Sequence, residues 1–92
     1  MDIYAQIAQS IIKHQEAIIG PVAVEQAQQI PHLHLDWAKH EVSIDHNPAS
    51  VIDDLVGAYK QLFGQISVEV SKEAAAPLLS KLGPSGLPQT LK

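Results

Sequence analysis

The sequence has no cysteine and no arginine, and only four aromatic residues: Tyr4, Trp37, Tyr59 and Phe63. Without cysteine there is no disulfide, no thiolate metal site and no cysteine nucleophile. Without arginine, the usual bidentate reader of phosphate, carboxylate and guanine is missing. The lysines are scattered, and acids outnumber them ten to six for a formal charge of −4. Clustered cations supply most nucleic-acid affinity, so this composition argues against nucleic acid as a partner. No apolar run approaches the roughly 20 residues needed to cross a bilayer, and Met1-Asp2-Ile3-Tyr4 lacks the cationic start of a signal peptide. A cytoplasmic protein with no membrane partner is the expectation.

What the chain does have is aliphatic residues. Apolar positions make up 46% of its 92 residues, enough for one domain built on Ile, Val, Leu and Ala. A chain of this length buries roughly 60–65% of its unfolded surface, which gives a thin core. Small domains of this kind often complete their burial by pairing with a copy of themselves.

The chain also nearly repeats itself at an offset of 44 residues. Ile18-Ile19-Gly20-Pro21-Val22-Ala23-Val24-Glu25 aligns with Leu62-Phe63-Gly64-Gln65-Ile66-Ser67-Val68-Glu69, and Ile7, Ile11 and Ile12 align with Val51, Leu55 and Val56. A fixed-period self-match is an architectural signal. It predicts two copies of one helical unit, residues 3–30 and 47–74, with a different segment between them.

In the first unit, Ile3, Ile7, Ile11, Ile12, Ile18 and Ile19 trace a helical stripe, with Gln9, Ser10, Lys13, Gln15 and Glu16 opposite. Gly20-Pro21 predicts a bend, since proline is tolerated at a first helical position but not inside. A short helix to about Gln29 should then bury Val22, Ala23, Ala27 and Ile30. His32-Leu33-His34-Leu35-Asp36-Trp37 and Glu41-Val42-Ser43-Ile44-Asp45 alternate with period 2, which predicts a hairpin within residues 32–46. A turn around Lys39-His40 pairs Trp37 with Val42, Leu35 with Ile44 and His34 with Asp45. Asn47-Pro48 opens the second unit, whose stripe is Val51, Ile52, Leu55, Tyr59, Leu62 and Phe63. Gly57 suggests close packing and Gly64 a second bend. Residues 65–70 alternate like a strand, yet Ile66, Val70, Ala74, Leu78 and Leu82 recur like a helix. The repeat favours helix. Gly83-Pro84-Ser85-Gly86-Leu87-Pro88 predicts a flexible tail over residues 83–92, outside a single domain of residues 1–82. The expected fold is α+β and mostly helical: two helix–glycine bend–helix units flank a central antiparallel β-hairpin.

No catalytic constellation is legible. Ser10, Ser43, Ser67 and Ser71 lack a glycine-flanked elbow, Gly20 and Gly64 are too isolated to cradle phosphate, and Glu25 and Glu69 read as first-turn helix acids. His14 reads as an ordinary helix residue. His32 and His34 share one strand face near Asp45 and His46, a legitimate metal ligand set, but the spacing matches no zinc signature and a solvated polar face explains it. Neither a cofactor nor a metal is expected. A lone hairpin is marginal in water, so it must cover helices or pair with a second hairpin. Pairing across a two-fold axis makes Leu33, Leu35, Trp37, Val42 and Ile44 the candidate homodimer interface, with Gly20, Pro21 and Gly64 as hinges. The alternative is that this face is the chain's own core.

Ile19-Gly20-Pro21-Val22-Ala23, at the end of an apolar helix, resembles a short element in small helical domains at the ends of prokaryotic signalling chains. The likeness covers about Ile11 to Ala27, with an echo from Phe63 to Ser71 in which Gln65 replaces the proline. Some of those domains accompany kinases and response regulators. The resemblance implies a regulatory or scaffolding module and transfers no catalytic residue. The function expected is therefore a non-catalytic interaction or dimerisation module with an unnamed protein partner. The competing expectation is a small-ligand or metal-binding protein using the His32/His34 face.

Overall fold

Asp2 and Gly20 delimit the first helix. In the computed structural model, which describes residues 2–92, α1 spans Ile3–Ile19 and the Asp2 carboxylate caps it by accepting the Ala5 N–H at 3.0 Å. Met1, part of the expected domain, lies outside the described residues. After Gly20 comes α2, Val22–Gln28. The hairpin of β1, Leu33–Asp36, and β2, Glu41–Ile44, follows. Then α3, Pro48–Phe63, bends at Gly64 into α4, Gln65–Leu79. Asn47 takes the N-cap position of α3, but its side chain meets His46 Nε2 at 3.1 Å and makes no cap bond. The expected α+β order is thus present, and residues 65–70 are helical.

The two bends are duplicates in detail. Gly20 has φ 75° and ψ −156°; Gly64 has φ 82° and ψ −169°. The Gly20 N–H donates to Glu16 O at 2.9 Å, and 44 residues later Gly64 N–H donates to Lys60 O at 2.7 Å. Ala23 N–H to Gly20 O and Ser67 N–H to Gly64 O are both 3.1 Å. Equivalent positions are also buried together: Ile7/Val51, Ala8/Ile52, Ile11/Leu55, Ile12/Val56, Gln15/Tyr59, Ala23/Ser67 and Ala27/Ser71.

Three buried hydrogen bonds tie the units across the core. Gln15 Nε2 donates to Ser67 O at 2.9 Å and to Ser71 Oγ at 3.2 Å, and Tyr59 OH donates to Ala23 O at 2.6 Å. Tyr59 is the repeat equivalent of Gln15, and Ala23 of Ser67, so exchanging the units carries the Gln15–Ser67 bond onto the Tyr59–Ala23 bond. The chain is an internal pseudo-dimer, each unit reaching into the bend of the other.

The hairpin register departs from the expected one by two residues. Leu33 faces Ile44, His34 faces Ser43, Leu35 faces Val42 and Asp36 faces Glu41. Because strand side chains alternate with period 2, this shift preserves both faces. Trp37 leaves the strand and begins a 3₁₀ turn, Trp37–Lys39, closed by His40 in the left-handed region. The indole N–H donates to Glu16 Oε2 at 3.1 Å, and Gln9 Nε2 donates to His40 O, so α1 holds the turn.

Several burial expectations need correction. Gln15 is buried, whereas Ile18, Val22, Leu62, Phe63 and Ile66 are exposed. The buried stripe of α4 is Ser67, Val68, Ser71, Ala74 and Ala75, one position round from the expected row. Pro77 lies inside α4 without ending it, and the Ser10 hydroxyl takes the nearby Ala74 carbonyl at 2.8 Å. The expected flexible tail folds back. Asp53 accepts the Gln89 and Thr90 N–H groups and the Thr90 hydroxyl, Tyr4 OH donates to Gly86 O, and Pro88 and Leu91 are buried.

Gly57 marks no close approach, for nothing lies within 4 Å of a β-carbon added there. Its backbone is helical, so Gly57→Ala should raise stability by about 0.5–1 kcal/mol in urea unfolding. A loss would show that a neighbour needs that space.

Candidate functional site

The expected interface residues are turned inward. Leu33 and Val42 are buried, and Leu35, Trp37 and Ile44 pack half-buried on the core. The hairpin's apolar face covers α1 and α2, so this face is the chain's own core. A two-stranded ribbon gains its stability by lying on helices, as this one does on α1 and α2.

On the outer face, two imidazoles bracket one carboxylate. His32 Nδ1 lies 2.7 Å from Asp45 Oδ1 and His34 Nε2 lies 2.6 Å from Asp45 Oδ2. The His46 ring sits 5.0 Å from that of His32. Each nitrogen addresses a different oxygen, so the three side chains do not converge on one point. Among the described residues no group of three or more His, Asp or Glu side chains has the arrangement to hold a metal ion. His14 Nδ1 meets Ser10 O within its own helix. The concavity nearest the histidines, about 240 Å³, opens across His34, Asp36, Glu41 and Ser43.

The clasp has an electrostatic signature. Hydrogen bonds from His34 and then His32 hold the Asp45 carboxyl below its ordinary 3.8. A depressed carboxyl adds stability above its unfolded pKa and loses it as pH falls through the folded value. Wild type should therefore lose more stability than Asp45→Asn between about pH 5 and about pH 2, read as urea midpoints. Parallel profiles would mean that the clasp does not couple to folding.

The bends present a different kind of surface. The exposed large apolar side chains among the described residues are Ile18 (64%), Leu62 (52%), Ile66 (68%), Val22 (37%) and Phe63 (37%). All lie within two residues of Gly20 or Gly64. Four are repeat partners, Ile18 with Leu62 and Val22 with Ile66. The crossed hydrogen bonds bring the bends together: Gln15, one turn before the end of α1, meets Ser67 beside Ile66, and Tyr59, one turn before the end of α3, meets Ala23 beside Val22. Both bends thus lie at one pole of the molecule. The polar groups beneath are satisfied within the fold, and no buried side-chain nitrogen or oxygen among the described residues lacks a partner. Burial, and next the Glu16 charge, push the Tyr59 phenol far above its ordinary value, so it stays neutral.

Of the predicted site residues, Gly20, Pro21 and Gly64 are at this pole and the hairpin five are not. Helical periodicity put Ile18, Leu62 and Phe63 on buried stripes and so concealed the patch. The available signal was the repeat itself, which sets apolar residues side by side at both bends. No protein-family model, curated protein or solved structure matches the chain.

Proposed function

We propose that the chain is a non-catalytic protein–protein interaction and dimerisation module of a cytoplasmic regulatory assembly. The observation that carries this reading is the pole: five large apolar side chains stand in solvent where an isolated domain gains nothing from them. Contiguous exposed apolar surface marks an association site more often than scattered single residues do. The rest of the molecule supports a role in shape. The buried Gln15 amide and Tyr59 hydroxyl join the two units, and among the described residues no helix is long and apolar enough to cross a membrane. The resemblance of the Gly20-Pro21 element to domains of signalling chains points the same way.

Sedimentation equilibrium of the full chain from about 10 μM to about 1 mM tests the reading, a range that brackets the affinity of a small interface. The weight-average mass should climb from monomer toward dimer. A constant monomer mass throughout would remove the dimerisation claim.

A further inference from the structure

We infer that the bend pole docks on the same pole of a second copy of this chain, about a dyad crossing the internal pseudo-dyad at right angles. This rests on the dimerisation reading and names its surface and its occupant.

Symmetry supplies the first argument. A two-fold interface must be self-complementary, with each residue and its contact recurring in exchanged roles. The pole already has that layout within one chain, because the exchange of units maps Ile18 onto Leu62 and Val22 onto Ile66. Of the two perpendicular dyads that turn it over onto itself, one sets like bends together and the other sets the first-unit bend of one copy on the second-unit bend of the other.

Area supplies the second. The exposed parts of the five side chains amount to roughly 500 Å² per copy, about the size of the largest apolar patch on an ordinary monomer. Two copies bury roughly 1,000 Å² in this way, the lower limit for a specific interface.

Charge supplies the third and selects the orientation. Residues 17–24 and 61–68 contain no charged side chain, so two poles meet without like-charge repulsion. The flanking residues Glu16 and Lys60 are repeat equivalents of opposite sign. Under the crossing dyad, each Glu16 lies toward Lys60 of the second copy. Trp37 occupies only Oε2 of Glu16, and no carboxylate among the described residues pairs with Lys60.

Sedimentation of the full-length chain and its variants tests the inference, with circular dichroism to confirm that each variant is folded. Ile66→Glu and Leu62→Glu, both at exposed positions, should weaken dimerisation at least about 100-fold, since a carboxylate would be desolvated against apolar surface. His34→Glu on the hairpin should leave it unchanged. Lys60→Glu and Glu16→Lys should each weaken self-association about 5- to 10-fold by opposing like charges. An equimolar mixture of those two variants should recover wild-type affinity as a heterodimer, which damage to the fold would not produce. A dimer indifferent to Ile66→Glu would overturn the pole as interface while leaving the dimerisation reading intact. Failure of the mixture to associate would overturn the crossing dyad. A wild-type monomer whose pole binds a hydrophobic dye in an Ile66-dependent way would overturn the second copy as occupant and assign the pole to a different protein. A wild-type monomer without such binding would overturn the inference and the dimerisation reading together.

Discussion

Alanine at Gly20 or at Gly64 should cost roughly 1–3 kcal/mol each, although neither position is crowded. Nothing lies within 4 Å of a β-carbon added at either site. The penalty comes from the backbone. Both residues combine φ near +80° with ψ near the extended value, a region that essentially only glycine enters. The double substitution should remove about 2–6 kcal/mol, a large part of the roughly 5–14 kcal/mol expected for a domain of this length. Thermal melts should drop by about 4–8 °C per kcal/mol. Gly57 provides the internal control: it is equally uncrowded, but its backbone is helical and alanine there should stabilise. Unchanged stability at Gly20 and Gly64 would show that the bends relax to ordinary geometry, and the duplicated scaffold would lose its basis.

Truncating Tyr59 should have the largest effect of any single change, about 3–5 kcal/mol for Tyr59→Ala. The ring is wholly buried and its hydroxyl holds the Ala23 carbonyl at 2.6 Å. Tyr59→Phe separates the two contributions. It keeps the ring, removes one buried hydrogen bond and should cost about 1–2 kcal/mol. The phenol also imposes a pH limit. Its pKa is raised in the fold, by burial first, above the 10.0 of an exposed tyrosine. A raised pKa means that the stability is complete below the unfolded value and is lost as pH rises beyond it, because the unfolded chain ionises first. Alkaline unfolding should therefore begin above about pH 10 and weaken in Tyr59→Phe. A Tyr59→Phe variant as stable as wild type, with the same alkaline limb, would mean that the bond to Ala23 O contributes nothing.

The parts of the fold legible in the sequence were those governed by local rules. Gly20 ends α1, and Pro48 and Gly64 bound α3, because proline at a first helical position and glycine at positive φ act within a turn. The repeat resolved residues 65–70, whose own pattern fits both strand and helix. Hairpin faces were legible while register was not: alternation fixes which side a residue takes, and the turn fixes the pairing. Trp37 was misplaced because its indole finds Glu16 on α1, a tertiary partner that no local pattern announces.

The candidate surface was hidden for a related reason. Periodicity assigns a residue to a helix face but does not say whether another element covers that stretch. Ile18 and Leu62 lie on the last turns of α1 and α3, two residues before the bends, and stand in solvent there although their stripes are buried further back. The C-terminal residues were misjudged in the opposite sense. Their Pro and Gly content forbids a long helix, but Asp53 and Tyr4 still fasten them to the body with hydrogen bonds.

The central claim is that duplication around two glycine bends builds a paired apolar pole, and that association occurs there. Methyl-resolved NMR of the full chain across a concentration series tests it most directly. The account predicts concentration-dependent shifts at the Ile18, Val22, Leu62 and Ile66 methyl groups, with Leu35 and Ile44 on the hairpin unmoved. Shifts concentrated at Leu35 and Ile44, with the bend methyls still, would contradict it.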